Sequence, residues 1–163
     1  NQMMMQMGPS RAGTLIAFLI ILFDQLSKWW ILNVTMVPPR IIPVTSFFDL
    51  VLVHNRGASF GIFSDAPGWA SVALIVFAIL ISIALAIWMW RVDETLLAVA
   101  LALVIGGAIG NVIDRIRFGA VVDFLDFHVG SWPWPAFNIA GSAITIGVIL
   151  LILDSLKSRP ENT

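Results

Sequence analysis

The sequence predicts an all-α membrane protein with a small β element: four transmembrane helices and a small sheet at the membrane surface. Three observations carry this. Hydrophobic residues make up 59% of the 163-residue chain and charged residues only 12%, with a mean hydropathy of +0.94, far from the balance of an ordinary soluble domain. Four apolar runs are each long enough to cross a hydrocarbon core of about 30 Å as helix. The longest stretch between them carries prolines that stop helices, together with β-branched and aromatic residues that suit strands.

The runs are taken in order as spans of a single membrane domain, residues 1–163. Span one covers about 13–32, GTLIAFLIILFDQLSKWWIL, and is interrupted by Asp24 and Lys28. The segment ahead of it, NQMMMQMGPS, reads as a tail, and the run itself, lacking a small-residue cleavage site, as a retained span. Span two, about 69–90, is WASVALIVFAILISIALAIWMW and carries no charge. Only RVDE separates it from span three, about 95–113, TLLAVALALVIGGAIGNVI; span four, about 136–153, is AFNIAGSAITIGVILLIL. Four spans leave both termini on one side and put loops 33–66 and 114–135 on the other. In the first of these, SFFDLVLVHN and ASFGIF have strand-like content; the second, DRIRFGAVVDFLDFHVGSWPWP, mixes charges with Phe and Trp as interfacial segments do. Trp29, Trp30, Trp69, Trp132 and Trp134 form an aromatic belt on the loop side. Apart from Lys28 within span one, the arginines and lysines divide four against four between the two sides, so the positive-inside rule does not orient the chain; free cations on the terminal side favour cytoplasmic termini.

Composition excludes several functions. No cysteine means no disulfide framework and no thiolate metal site, and His54 and His128 alone do not make a familiar zinc centre. A net charge of −1 without basic runs points to no nucleic acid partner. No metal and no cofactor are expected. A solute channel or transporter is disfavoured by the lack of an internal repeat.

Polar residues inside spans are expensive and mark either pairs or sites. Asp24 and Lys28, one turn apart on span one, read as a structural pair with Lys28 reaching outward, or as support for a site. In GGAIGNVIDR, Asn111, Asp114 and Arg115 share a helix face; they read as a helix-end pairing of Asp114 with Arg115 or Arg117, or as substrate-positioning groups. The glycines there sit inside an apolar helix, which favours close helix approach over a nucleotide loop. Asp123 follows Val121-Val122 and by itself reads as a surface aspartate. Asn138, in FNIAGSAI, reads by itself as a helix cap, with Gly141 on the same face one turn later.

Together these blocks resemble the lipoprotein signal peptidases, bacterial aspartic endopeptidases that remove the signal peptide from lipid-modified prolipoproteins. The resemblance runs from Asp24 to about Ile144. It rests on Asp24-Gln25-x-x-Lys28, on Asn55-Arg56-Gly57-Ala58-Ser59-Phe60, on Gly106-Gly107 to Asn111-x-x-Asp114-Arg115, on Val121-Val122-Asp123-Phe124 and on Phe137-Asn138-x-Ala140. It implies four transmembrane helices, an extracytoplasmic β-cradle, and an active site near the outer face of the inner membrane. It further implies a pair of catalytic aspartates, one at Asp123 and the other immediately after Ala140. That second place is Gly141 here, through deliberate replacement or in a naturally inactive homologue.

Two adjacent carboxylates sharing one proton supply both the base and the acid that amide hydrolysis needs. A glycine supplies neither, so the resemblance implies an impaired enzyme, or alternatively a non-catalytic membrane protein that binds lipoproteins. By position, Asn55, Asn111, Arg115, Asn138 and Ala140 look like groups around the substrate, and Asp24, Lys28 and Asp114 like supporting ones. Implied partners are a diacylglyceryl-modified prolipoprotein signal peptide and membrane lipid, with the chain a monomer.

Overall fold

The computed structural model describes residues 7–57 and 68–157. Four long helices dominate it: α1 (Pro9–Trp30), α2 (Gly68–Met89), α3 (Thr95–Phe118) and α4 (Ile139–Lys157). At 19 to 24 residues, each is long and apolar enough to cross a bilayer. Proline at the first turn of α1 is accommodated because its missing N–H has no partner there in any helix. A π-helical turn, Ile31–Thr35, prolongs α1. Pro38 and Pro39 follow, and neither can continue a helix.

The helices extend beyond the expected spans at the start of α1 and the end of α4, and two boundaries near the sheet also differ. The third helix runs to Phe118 rather than stopping near Ile113, so Asp114 and Arg115 are helical residues and not part of a loop. Nothing in DRIRF breaks a helix, and the stop comes at Gly119, whose φ of 69° brings its N–H onto the Arg115 carbonyl. The fourth helix begins at Ile139 rather than Ala136. Phe137 is instead extended, exchanging backbone hydrogen bonds with Leu125.

The sheet also has a different make-up. β1 (Ile42–Pro43), β2 (Phe48–Asn55), β3 (Val121–Val129) and β4 (Trp132–Pro133) follow one another in an antiparallel sheet of order β1-β2-β3-β4. Half of it therefore comes from the second large loop, where only an interfacial segment was expected. In that strand, VVDFLDFHV, β-branched and aromatic residues recur between the acids, and its neighbour β2 supplies the missing edge. The strand expected in ASFGIF lies outside the described residues. Between Leu50 and Val53 the β2–β3 register shifts, so Val51 and Leu52 together oppose Phe124 in a bulge.

α3 is the central helix and packs against each of the other three. Ala98, Leu101, Ala102 and Ile105 of α3 form one core with Ala17 of α1 and Met89 of α2. A second core, Ile31, Met36 and Phe124, lies beneath the sheet. The rings of Phe48, Phe127 and Phe137 stack beside it, with centroids 4.6 and 5.6 Å apart. Glycine is required where α3 meets α4: a Cβ at Gly107 would collide with the backbone carbonyl of Ala140. The remaining helix faces expose large apolar side chains, among them Phe18, Phe77, Leu80 and Ile152, as helices facing lipid do. Trp29, Trp30, Trp69, Trp132 and Trp134 are all exposed.

Candidate active site

Where α1 and α3 approach the sheet, three charges are buried together. Asp24 and Asp114 are 0% exposed and Lys28 2%. The Lys28 ammonium lies 2.7 Å from Asp24 and 2.8 Å from Asp114, and also donates to Asn111 Oδ1 at 3.3 Å. Lys28 therefore does not reach outward to the membrane surface; two carboxylates hold it inside. Asp114 does not form the expected pairing with Arg115 or Arg117 either. Its oxygens take Lys28, the Gln25 side chain at 3.0 Å and the Val122 N–H at 3.0 Å, which ties α3 to the first residues of β3. Asp24 accepts the Ala140 N–H at 2.8 Å, tying α1 to the N-terminus of α4, where a negative charge is favoured. Asp24, Lys28 and Asp114 thus join three helices and one strand at a single point.

Asp123 stands on β3 immediately after that point and is 5% exposed. Its carboxylate accepts from Asn55 Nδ2 at 3.1 Å and from Asn138 Nδ2 at 2.8 Å, both neutral amides. Burial pushes the carboxyl up from its ordinary 3.8 to about 6, against the lowering pull of the Asn55 hydrogen bond and of the Lys28 and Arg115 cations. It is therefore not a surface aspartate. A carboxyl of this kind exchanges its proton near neutral pH, as a general acid or base must.

Asn138 is the hinge of the arrangement. Its Nδ2 faces Asp123, the Val122 carbonyl and Asn111, while its Oδ1 accepts the Gly141 N–H at 2.7 Å. The reading of Asn138 as a helix cap holds through its Oδ1, while the other end of the same amide engages Asp123. Gly141, three residues further on, borders a groove of about 440 Å³ lined by Trp134, Pro135, Ala136, Phe137, Ser142, Thr145 and Ile146. Ala140 does not line that groove: it is fully buried against α3. Asn55, besides holding Asp123, accepts the Gly57 N–H. Arg115 reaches the Gly57 carbonyl at 3.5 Å, and its buried Nε has no partner among the described residues.

Among the described residues, neither Asp126 nor Asp114 stands as a second carboxyl facing Asp123. Asp126 is three residues further along β3, on the opposite face, and stands directly across from Asp49. Asp114 is committed to Lys28 and Val122. Asp49, Asp126 and His128 bring donor atoms within 4.8 Å of one another, and are the group among the described residues able to hold a cation. They lie on the far part of the sheet, with His128 Nδ1 3.9 Å from Asp49. The residues singled out from the sequence otherwise converge, joined by Gln25, which the sequence reading placed in a motif but gave no role. Gln25 donates to Asp24, Asp114 and the Gly110 carbonyl, and its place beside Asp24 within an apolar span was the available signal.

Fold and site together define a polytopic membrane protein with a buried carboxyl, held by two neutral amides, at one end of its helical bundle. Comparison places it among known proteins. The family model described as signal peptidase (SPase) II matches residues 16–157. Proteins named lipoprotein signal peptidase from Burkholderia cenocepacia and Burkholderia vietnamiensis are 50% identical over 143 residues, covering 87% of this chain and 86% of theirs. Two solved structures, both described as bacterial membrane enzymes, are similar. One, at 2.3 Å resolution, has a TM-score of 0.81 and 35% identity over 93% of this chain and 91% of its own. The other, at 1.9 Å, has a TM-score of 0.77 and 36% identity over 90% and 94%. The chain belongs to the signal peptidase II family, and is a multi-pass bacterial membrane protein.

Proposed function

We propose that this chain has the fold and substrate site of a membrane aspartic endopeptidase that removes signal peptides from diacylglyceryl-modified prolipoproteins, with catalysis impaired by Gly141. The observation that carries this is the Asn138 amide, which holds Asp123 at one end and the Gly141 backbone at the other. A carboxylate at 141 would stand beside Asp123, close enough for the two to share a proton and divide the roles of acid and base. With glycine there, Asp123 acts alone: it can take a proton from water but has no partner to protonate the carbonyl oxygen.

The surrounding residues take different tasks. Arg115, whose Nε has no partner among the described residues, and Asn55 are the groups that meet the substrate backbone. Asn111 and Asn138 are engaged with each other and act by positioning Asp123. The apolar groove beside Gly141 accommodates lipid-borne parts of the substrate. The site end of the bundle faces outward from the bacterial inner membrane, the termini are cytoplasmic, and the chain works as a monomer among membrane lipids, without cofactor or metal.

A second reading, a non-catalytic protein that binds lipoproteins, is favoured by one observation: position 141 bears no carboxylate while the groove beside it is formed. The test is a cleavage and binding assay with a diacylglyceryl prolipoprotein. The chain binds it without cutting, and Gly141→Asp cuts. A Gly141→Asp protein that unfolds at the same temperature and still does not cut refutes the peptidase reading.

A further inference from the structure

We infer that the space beside Gly141 is a binding site for a small monocarboxylic acid, of formate or acetate size, and that such an acid completes the hydrolytic site of this chain. The inference rests on the reading of Asp123 as a peptidase carboxyl.

Gly141 differs in this from the glycines packed between the helices. A Cβ at Gly107, Gly110 or Gly147 would run into a backbone carbonyl or the Asp24 carboxylate, so those glycines exist for packing. A Cβ at Gly141 meets only the tip of a side chain, Asn138 Oδ1 at 3.3 Å, a close contact that a shift of a few tenths of an ångström relieves. The groove beyond, about 440 Å³, is many times the roughly 30 Å³ share of one water molecule. The surroundings suit an acid. Gly141 is in the first turn of α4, where negative charge is favoured, and the amide that contacts Gly141 also contacts Asp123. The hydroxyls of Ser142 and Thr145 border the groove and donate to backbone carbonyls, leaving lone pairs to accept from a protonated acid.

The completed site balances. Ionised Asp123 takes a proton from water as the water oxygen bonds to the scissile carbonyl carbon, and the bound acid gives its proton to the carbonyl oxygen. Asp123 then passes its proton to the amide nitrogen as the C–N bond breaks. One hydroxyl proton of the intermediate returns to the bound carboxylate. A carboxylic acid and an amine leave, and the pair again holds one proton.

The experiment measures cutting of a diacylglyceryl prolipoprotein at about pH 6 in sodium formate against sodium chloride of equal ionic strength. It uses the chain itself, Gly141→Asp and Gly141→Asn, with unfolding temperatures recorded for each. Formate is expected to raise cutting by the chain saturably, by roughly tenfold or more, and to raise its unfolding temperature. Gly141→Asp cuts without formate. Gly141→Asn, which fills the same space without a carboxyl, shows neither formate effect. If Gly141→Asp cuts and formate does nothing for the glycine protein, the inference is wrong and the peptidase reading stands. If neither cuts, both fail. A formate response that persists in Gly141→Asn marks a general salt effect and also overturns the inference.

Discussion

Raising the pH through the titration of Asp123 should cost this protein stability in a way that one substitution removes. The carboxyl is held at about 6 in the folded state against an ordinary 3.8, with burial the main cause. The folded state thus binds this proton more tightly than the unfolded state does. Its contribution is complete below about pH 4 and lost as pH rises through about 6. At about 1.4 kcal/mol per pKa unit, the difference corresponds to roughly 3 kcal/mol. Asp123→Asn cannot ionise, so its stability lacks this component. It carries instead a constant penalty of about 1 kcal/mol, because its new NH₂ confronts either the Asn55 or the Asn138 donor. The assay is unfolding in detergent micelles, followed by tryptophan fluorescence from about pH 4 to about pH 8, for both proteins. Other carboxyls titrate in both and cancel in the difference. The parent should lose roughly 2.5 kcal/mol relative to Asp123→Asn across the range, most of the full difference. A flat difference, or one in which the parent gains, would refute the account of Asp123 as a carboxyl raised by burial.

Three further outcomes follow from the packing. Lys28→Met leaves Asp24 and Asp114 buried without their cation and should destabilise by about 3 to 5 kcal/mol, seen as lost folded yield and a lower unfolding temperature. Adding Asp24→Asn and Asp114→Asn to that variant should recover part of the loss. Gly107→Ala drives a methyl into the Ala140 carbonyl and should cost about 1 to 3 kcal/mol in thermal unfolding, whereas Gly68→Ala, with nothing within 4 Å, should cost little. Asn138→Ala removes the Gly141 cap, worth about 1 kcal/mol, and one donor to Asp123. The Asp123 titration, followed by carboxyl infrared absorption, should move upward in that variant.

The spans, their order and the polar residues worth watching are legible in the sequence because hydrocarbon forbids unpaired charge and backbone. Any Asp, Lys or Asn within an apolar run must find a partner, and Asp24, Lys28, Asn111 and Asp114 all do. Helix ends were less legible. Nothing local distinguishes Ile113 from Phe118 as a stop until the positive φ of Gly119 is known, and Phe137 is kept out of α4 by its pairing with Leu125, a partner twelve residues away.

Periodicity places Asn111 with Asp114, and Asn138 with Gly141, but it does not relate one helix to another. The Lys28 ammonium between two aspartates, the Asp24 contact to the start of α4 and the removal of Asp126 to the other face of β3 depend on packing and register. The sequence by itself determined a four-span membrane protein, and it showed that the residue after Ala140 is a glycine. Only the tertiary structure decided that this glycine opens onto space and is joined to Asp123 through one amide. Such a connection depends on how α4 meets β3, and that is set by side chains far apart in the chain.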